Sequence, residues 1–174
     1  MKSFMMMTLM LMCAALSVEA QGNRIYMEEF EISPDSTLTV SLMLANVDET
    51  RGLQFNMVLP HGLEVVDQDL TDECYDLGMK LSMRHIAEKS TYIVVIHSMD
   101  KACFPARNAA VMTFTLKAAK DFKGGKIILS HVRGSTIDNK SIILPDKKVT
   151  VTKRPDTLMK LDDDKRTVED QFFN

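Results

Sequence analysis

The chain has 174 residues, which is enough for one domain that buries its own core without help from metal ions. Its 21 basic and 24 acidic residues give a net charge of -3, which argues against a duplex nucleic acid partner, because such binding depends on clustered Lys and Arg. Aromatic residues make up 6% of the chain and Trp is absent, so few side chains are available to stack on sugar rings.

Residues 1–20 have the pattern of a secretory signal peptide. Lys2 precedes an apolar run from Phe4 to Leu16, and small residues stand before Gln21, where cleavage is predicted. The apolar run is shorter than the roughly 20 residues that a membrane-spanning helix needs, so an uncleaved anchor is the less favoured interpretation. We therefore expect a secreted protein, periplasmic or at the cell surface, with no membrane span after cleavage.

Two segments, residues 24–32 and 36–63, alternate apolar and polar side chains as half-buried strands do. The first changes phase near residues 28–29, which predicts either a β-bulge or a switch from one sheet to another. The second contains two strands, and its alternation directs Gln54 and Asn56 towards solvent. The predicted inward-facing residues of these two strands are Leu38, Val40, Leu42, Leu44, Leu53, Phe55, Met57 and Leu59.

A short strand at residues 63–66 is followed by an acidic stretch at residues 67–77, which we interpret as a solvated loop. A calcium site formed by Asp67, Asp69 and Asp72 is the alternative. It is less favoured because calcium sites also use backbone carbonyls, which a sequence does not display.

The next two strands are predicted at residues 78–86 and 91–97. Alternation in the first puts Lys80, Ser82 and Arg84 on the side opposite its apolar residues. The second is apolar on both sides, as expected of a central strand or of one covered by a loop.

Cys74 and Cys103 are the two cysteines outside the predicted signal peptide, which contains Cys13. Both lie in polar connections, and an exported protein favours a disulfide between them. Such a bridge would close a loop of about thirty residues and contribute about 3 to 4 kcal/mol. Two free thiols are the alternative, and neither cysteine has the basic partner that a catalytic thiolate needs.

The remaining strands are predicted at residues 109–118, 126–132, 140–144 and 148–151. The charged, irregular residues 153–174 predict a flexible tail, with a short helix as the minority view. The fold class is therefore all-β, and residues 21–152 form a sandwich of about nine strands of the immunoglobulin-like kind.

No catalytic or metal-binding pattern stands out in the sequence. The four histidines are His61, His85, His97 and His131. They are too scattered for a zinc site, which needs three or four convergent ligands, so we interpret them as ordinary sheet residues. An enzyme would require paired carboxylates, for which Glu28, Glu29 and Asp100 are the candidates. We expect no cofactor, no metal and no enzymatic activity.

Five segments of the chain occur in an order that points to a known family. They are SPDSTLTVSL at residues 33–42, GLQFNMVLP at 52–60, GLEV at 62–65, AVMTFTL at 110–116 and GKIIL at 125–129. This order resembles the cohesin domain, within the broader group of carbohydrate-binding-like β-sandwiches. The resemblance covers residues 24–151 and is strongest to the single-domain versions exported by gut-dwelling Gram-negative bacteria.

The resemblance implies a nine-stranded jelly-roll sandwich that binds a protein or polysaccharide partner and catalyses nothing. In cohesins a dockerin docks on the outward face of one sheet. The matching positions here are Gln54 and Asn56 on the third strand and Lys80, Ser82 and Arg84 on the fifth.

The chain departs from the cohesin pattern at residues 59–61, LPH, where cohesin strands often present an aspartate. It also lacks the Asp, Asn and Gly spacing of a dockerin calcium loop. A structural or adhesin subunit that assembles by edge-strand pairing is the alternative function.

Overall fold

The computed structural model describes residues 22–47, 49–100, 102–104 and 107–155. The predicted signal peptide, Cys13 and the predicted tail beyond residue 155 lie outside the described residues. Within the described part, no helix is long and apolar enough to cross a membrane.

The described residues form eleven strands and one short α-helix. In chain order these are β1 (Arg24–Tyr26), β2 (Phe30–Ile32), β3 (Thr37–Asn46), β4 (Thr50–Val58), β5 (Leu63–Leu70), α1 (Asp72–Asp76), β6 (Met79–Ile86), β7 (Thr91–Ser98), β8 (Arg107–Ala118), β9 (Gly125–Thr136), β10 (Ser141–Ile143) and β11 (Lys147–Lys153). A single 3-10 turn, Ala87–Lys89, connects β6 to β7.

The strands form two sheets around one apolar core. The smaller sheet has the order β1-β3-β8-β5, and the larger has the order β2-β11-β9-β4-β7-β6 with β10 also paired to β9. The pairing is antiparallel except between β2 and β11. The predicted all-β sandwich is therefore confirmed, and β7, which is apolar on both sides, is an interior strand between β4 and β6.

The core follows the predicted alternation closely. Phe55 on β4 and Phe114 on β8 are both 0% exposed, and the buried Leu42 and Met112 are partners in the β3–β8 register. In an extended strand successive side chains point to opposite faces, so an alternating sequence buries one set and leaves the other in water. The predicted inward residues of β3 and β4 all belong to this core or pack against it.

The phase change near residues 28–29 is a switch between sheets. β1 pairs with β3 in the smaller sheet, whereas β2 pairs with β11 in the larger sheet. The switch divides the first predicted strand into two, and the short β10 lies beside the main path of its sheet. The described part of the chain consequently has eleven strands, and the expected count of nine is not confirmed.

The prediction of a solvated loop at residues 67–77 is wrong. β5 continues to Leu70, which is buried, and α1 follows directly. A register shift between Val65 and Asp67 breaks the alternation and conceals the strand in the sequence. Asp69 hydrogen-bonds the Tyr75 hydroxyl of α1, so this carboxylate helps to hold the helix against the strand.

An ion pair fixes α1 to the smaller sheet. The Arg107 guanidinium at the start of β8 donates a hydrogen bond to the Glu73 carboxylate. This hydrogen bond lowers the pKa of Glu73 and raises the pKa of Arg107, because each group stabilises the charged form of the other.

The predicted disulfide is not present. Cys74 is fully buried on α1, beside β5 and β6, while Cys103 is partly exposed, and neither is bridged. The neighbour of Cys103, Phe104, exchanges two backbone hydrogen bonds with Thr50, which fixes this segment at the start of β4. The expectation failed because α1 turns the first cysteine into the core.

The alternation of β4 predicts opposite outcomes for neighbouring residues. Phe55→Ala leaves a cavity in the core, and we expect it to lower the free energy of unfolding by about 3 to 5 kcal/mol. Gln54→Ala changes an exposed side chain, and we expect a change within about 0.5 kcal/mol. Urea unfolding measures both, and equal losses would contradict the assigned register.

The two cysteines should differ in reactivity. Burial raises the pKa of the Cys74 thiol, so we expect this side chain to resist iodoacetamide until the protein unfolds. Cys103, which is partly exposed, should be alkylated first. Peptide mapping by mass spectrometry identifies which cysteine is alkylated. A disulfide-linked peptide that contains Cys74 and Cys103 would contradict the absence of a bridge.

Candidate functional site

The candidate site is the outward face of the larger sheet, across the adjacent strands β6, β7, β4 and β9. We call this surface the outer face. Its outward positions are Lys80, Ser82 and Arg84 on β6, Ile93, Val95 and His97 on β7, Gly52, Gln54, Asn56 and Val58 on β4, and Lys126, Ile128, Ser130, Arg133 and Ser135 on β9.

All five site residues predicted from the sequence lie on the outer face. One cross-strand row contains Ser82 and Gln54 on either side of Val95. The next row contains Arg84 and Asn56 in the same relation to Ile93. Because β7 separates β6 from β4, the two groups of polar residues are two strand spacings apart, about 10 Å.

The outer face also contains residues on β7 and β9 that the sequence left unassigned. The β7 residues escaped assignment because both sides of this strand are apolar. On β9 a bulge interrupts the alternation at His131, which has a positive φ of 53°, so Ser130 and Arg133 both point outward. The Asp146 side chain accepts a hydrogen bond of 3.1 Å from the His131 backbone N–H at this bulge.

The centre of the outer face is apolar and its borders are basic. Ile93 and Val95 are partly buried in the middle of the sheet. Exposed basic residues lie on both sides, and they are Lys80 and Arg84 on β6, Lys126 and Arg133 on β9, and Lys148 on β11. Glu31 on β2 is the one carboxylate in an outward position among the described residues of this sheet.

A recess of about 310 Å³ opens in the outer face at Gly52. Gly52 contributes no side chain to it, and a Cβ at this position would lie 3.3 Å from the Ser135 Oγ and 3.4 Å from the Ile96 carbonyl oxygen. Its polar lining comes from Gln54, His97, Arg133, Ser135 and Ser141. The His97 Nδ1 atom is buried and has no hydrogen-bond partner.

The residues weighed for metal or acid-base chemistry do not converge. His85 stacks on Tyr92, with ring centroids 4.2 Å apart, on the side opposite to His97. Within the described residues, no group of three or more His, Cys, Asp or Glu is placed to hold a metal ion. Glu28 and Glu29 lie between β1 and β2, whereas Asp100 follows β7.

Comparison with known proteins gives structural matches but no sequence match. No protein-family model and no curated protein sequence matches the chain. The sixth cohesin of scaffoldin B from Acetivibrio cellulolyticus, solved in complex with a dockerin, superimposes with a TM-score of 0.64 at 11% identity. The match covers 76% of this chain and 99% of that cohesin.

Two further structures agree with this match. A type I cohesin–dockerin complex from Clostridium thermocellum gives a TM-score of 0.61 at 15% identity, covering 75% of this chain and 99% of the matched chain. A non-cellulosomal cohesin from the archaeon Archaeoglobus fulgidus gives 0.61 at 12% identity, covering 80% and 97%. The chain has a cohesin-like β-sandwich fold, and at these identities the comparison establishes the fold alone.

Two of the glycines in the larger sheet, Gly52 and Gly125, should respond differently to an added methyl group. A Cβ at Gly52 would lie 3.3 Å from the Ser135 Oγ, which can rotate away, so we expect Gly52→Ala to change stability by less than about 1 kcal/mol. A Cβ at Gly125 would lie 2.5 Å from the rigid Pro60 ring, and we expect Gly125→Ala to cost about 1 to 3 kcal/mol.

Urea unfolding of both glycine variants tests this expectation. A larger loss for Gly52→Ala than for Gly125→Ala would contradict the described recess.

Proposed function

We propose that this chain is an exported, non-catalytic interaction domain that binds a protein partner through the outer face of its larger sheet. The observation that carries the proposal is the shared location of Gln54, Asn56, Lys80, Ser82 and Arg84 on one face with an apolar centre. Protein interfaces combine such an apolar centre with a polar, solvent-accessible rim.

The fold supports a protein partner of the dockerin kind. The structures that superimpose on this chain are cohesins, and two of those described above were solved with a dockerin. The match spans nearly the whole of each cohesin, so the sheet that forms the outer face here has a counterpart in a complete module. The signal-peptide pattern of residues 1–20 supports export to the periplasm or the cell surface.

A polysaccharide is the second class of ligand that a surface-exposed sandwich would meet. Sugar rings bind by stacking on aromatic side chains, and no Phe, Tyr or Trp occupies an outward position in the described part of the larger sheet. Tyr92 on β7 points inward and is 6% exposed. These observations favour a protein over a neutral glycan.

Edge-strand assembly is a second candidate function, and one observation favours it. β6 has eight residues and pairs on one side with β7, which leaves its other edge unpaired within the described chain. An unpaired edge of this length can accept a strand from another molecule. Light scattering measures the molar mass of the full chain and of a chain that ends at residue 155. This candidate function requires a defined oligomer, so a monomer in both cases would contradict it.

The outer face predicts where a partner will crosslink. We expect a photo-crosslinking amino acid in place of Ser82 to capture a partner from spent culture medium, because this position borders the predicted contact. The same amino acid in place of Thr39, exposed on the opposite sheet, should capture none. Mass spectrometry of the crosslinked product identifies the partner as protein or glycan.

A pair of double variants tests which side chains contribute to binding. Gln54→Ala with Asn56→Ala should lower the crosslinking yield about tenfold, since each lost hydrogen bond costs about 0.5 to 1.5 kcal/mol. Thr39→Ala with Thr115→Ala is the matched control, because these hydroxyls lie 3.0 Å apart on the opposite sheet. In the crosslinking experiment itself, equal capture of a partner from Ser82 and from Thr39 would refute binding through the outer face.

A further inference from the structure

The outer face carries a charge opposite to that of the chain as a whole. Five basic side chains project from it or its border, while Glu31 is the one outward carboxylate among the described residues of the sheet. The chain nevertheless has a net charge of -3. None of these five basic side chains forms an ion pair with a described residue, so their charge is available to a partner.

The recess at Gly52 concentrates residues that can donate hydrogen bonds at one end of this surface. Arg133, Ser135, Ser141 and Gln54, whose side chains can all donate hydrogen bonds, are among the residues that line it. Lys80 lies next to His97 in the cross-strand register, one position from the recess. A carboxylate accepts at about four lone-pair positions and pairs with a guanidinium through two parallel hydrogen bonds.

We propose that the Gly52 recess is a socket for an Asp or Glu side chain that projects from an acidic surface of the protein partner. Arg133 pairs with that carboxylate, and the serine hydroxyls complete its hydrogen bonds. The surrounding lysines and Arg84 attract the acidic surface and orient it before contact. This inference names the chemistry of the partner and rests on the proposed function.

The apolar centre of the outer face favours an acidic protein over an acidic polysaccharide. Val95 lines the recess and Ile93 follows it outward on β7, while Val58 and Ile128 are partners further along β4 and β9; all four are partly buried. A folded protein can cover these residues with its own apolar side chains, whereas a polyuronate would leave them in contact with hydroxyls and water. The recess is also a single depression, which suits one side chain better than a continuous polymer.

Charge reversal in the full-length protein tests the socket. The probe is the partner that crosslinking at Ser82 identifies. It is purified separately, without the crosslink, and titrated against each variant. Arg133→Glu should weaken binding by about thirtyfold or more, since loss of one member of a desolvated charge pair costs at least about 2 kcal/mol. Raising NaCl from 50 to 500 mM should weaken the wild-type complex and have less effect on the Arg133→Glu variant.

Lys117→Glu is the matched control for charge reversal. Lys117 is exposed on the outward face of the smaller sheet, and its substitution changes the net charge by the same amount. We expect its affinity to equal that of the wild type. Gly52→Val fills the recess without changing charge and should also weaken binding, while circular dichroism confirms that each variant is folded.

A complementary charge swap gives the decisive measurement. On the crosslinked surface of the partner, each Asp or Glu is changed to Arg in turn. One of these changed partners should bind the Arg133→Glu variant more tightly than it binds the wild-type chain. Tight binding of the Arg133→Glu variant to the unmodified partner, or equal weakening by Lys117→Glu, would refute the socket while leaving the proposed function intact.

Two other outcomes also have definite meanings. Binding of polygalacturonate that Arg133→Glu abolishes, with no protein captured at Ser82, would replace the acidic protein with an acidic glycan. Capture of no macromolecule at Ser82 would refute the proposed function and the socket together.

Discussion

The register of β4 is the constraint on which both the core and the candidate site depend. β4 lies between β7 and β9, and its side chains alternate between the buried Phe55 and the exposed Gln54. A register slip of one residue would expose Phe55 to water and bury Gln54 in the core. The free energy gained by burying the aromatic ring therefore excludes this slip. The same interaction that stabilises the sandwich therefore also orients the polar residues of the outer face.

Charge is distributed unevenly over the two sheets. The outward side of β5 carries Glu64, Asp67 and Asp69, and α1 adds further carboxylates beside it. The outer face of the larger sheet carries basic residues instead. Because salt screens charges beyond about 8 to 10 Å, each side presents its own local charge to an approaching molecule, and the overall value of -3 describes neither side.

The strands that could be predicted from the sequence are those with unbroken alternation. β3, β4 and the inward side of β8 belong to this class, and with them the outward positions of Gln54 and Asn56. The alternation of β6 also predicted its outward residues, whereas bulges concealed parts of β5 and β9, because one extra residue inverts the alternation that follows. The bulge at His131 concealed Arg133, and the shift after Val65 concealed the second half of β5.

The recess and the cysteines were beyond prediction for a different reason. A recess at Gly52 requires neighbours on two other strands, and strand pairing is not readable from one sequence. The disulfide prediction relied on compartment and on an even number of cysteines, but neither consideration reports which way α1 turns Cys74.

The basic residues of the larger sheet distinguish face binding from edge pairing. Lys80 and Arg84 lie on β6, an edge strand, where basic side chains commonly prevent unwanted pairing between sheets. That explanation accounts for these two residues without any partner. It does not apply to Arg133, because this residue of β9 is paired with Gln54 on β4 and with Ile143 on β10. Basic charge therefore extends across the sheet to a position that needs no edge protection, and the proposed partner with an acidic surface accounts for a basic residue there.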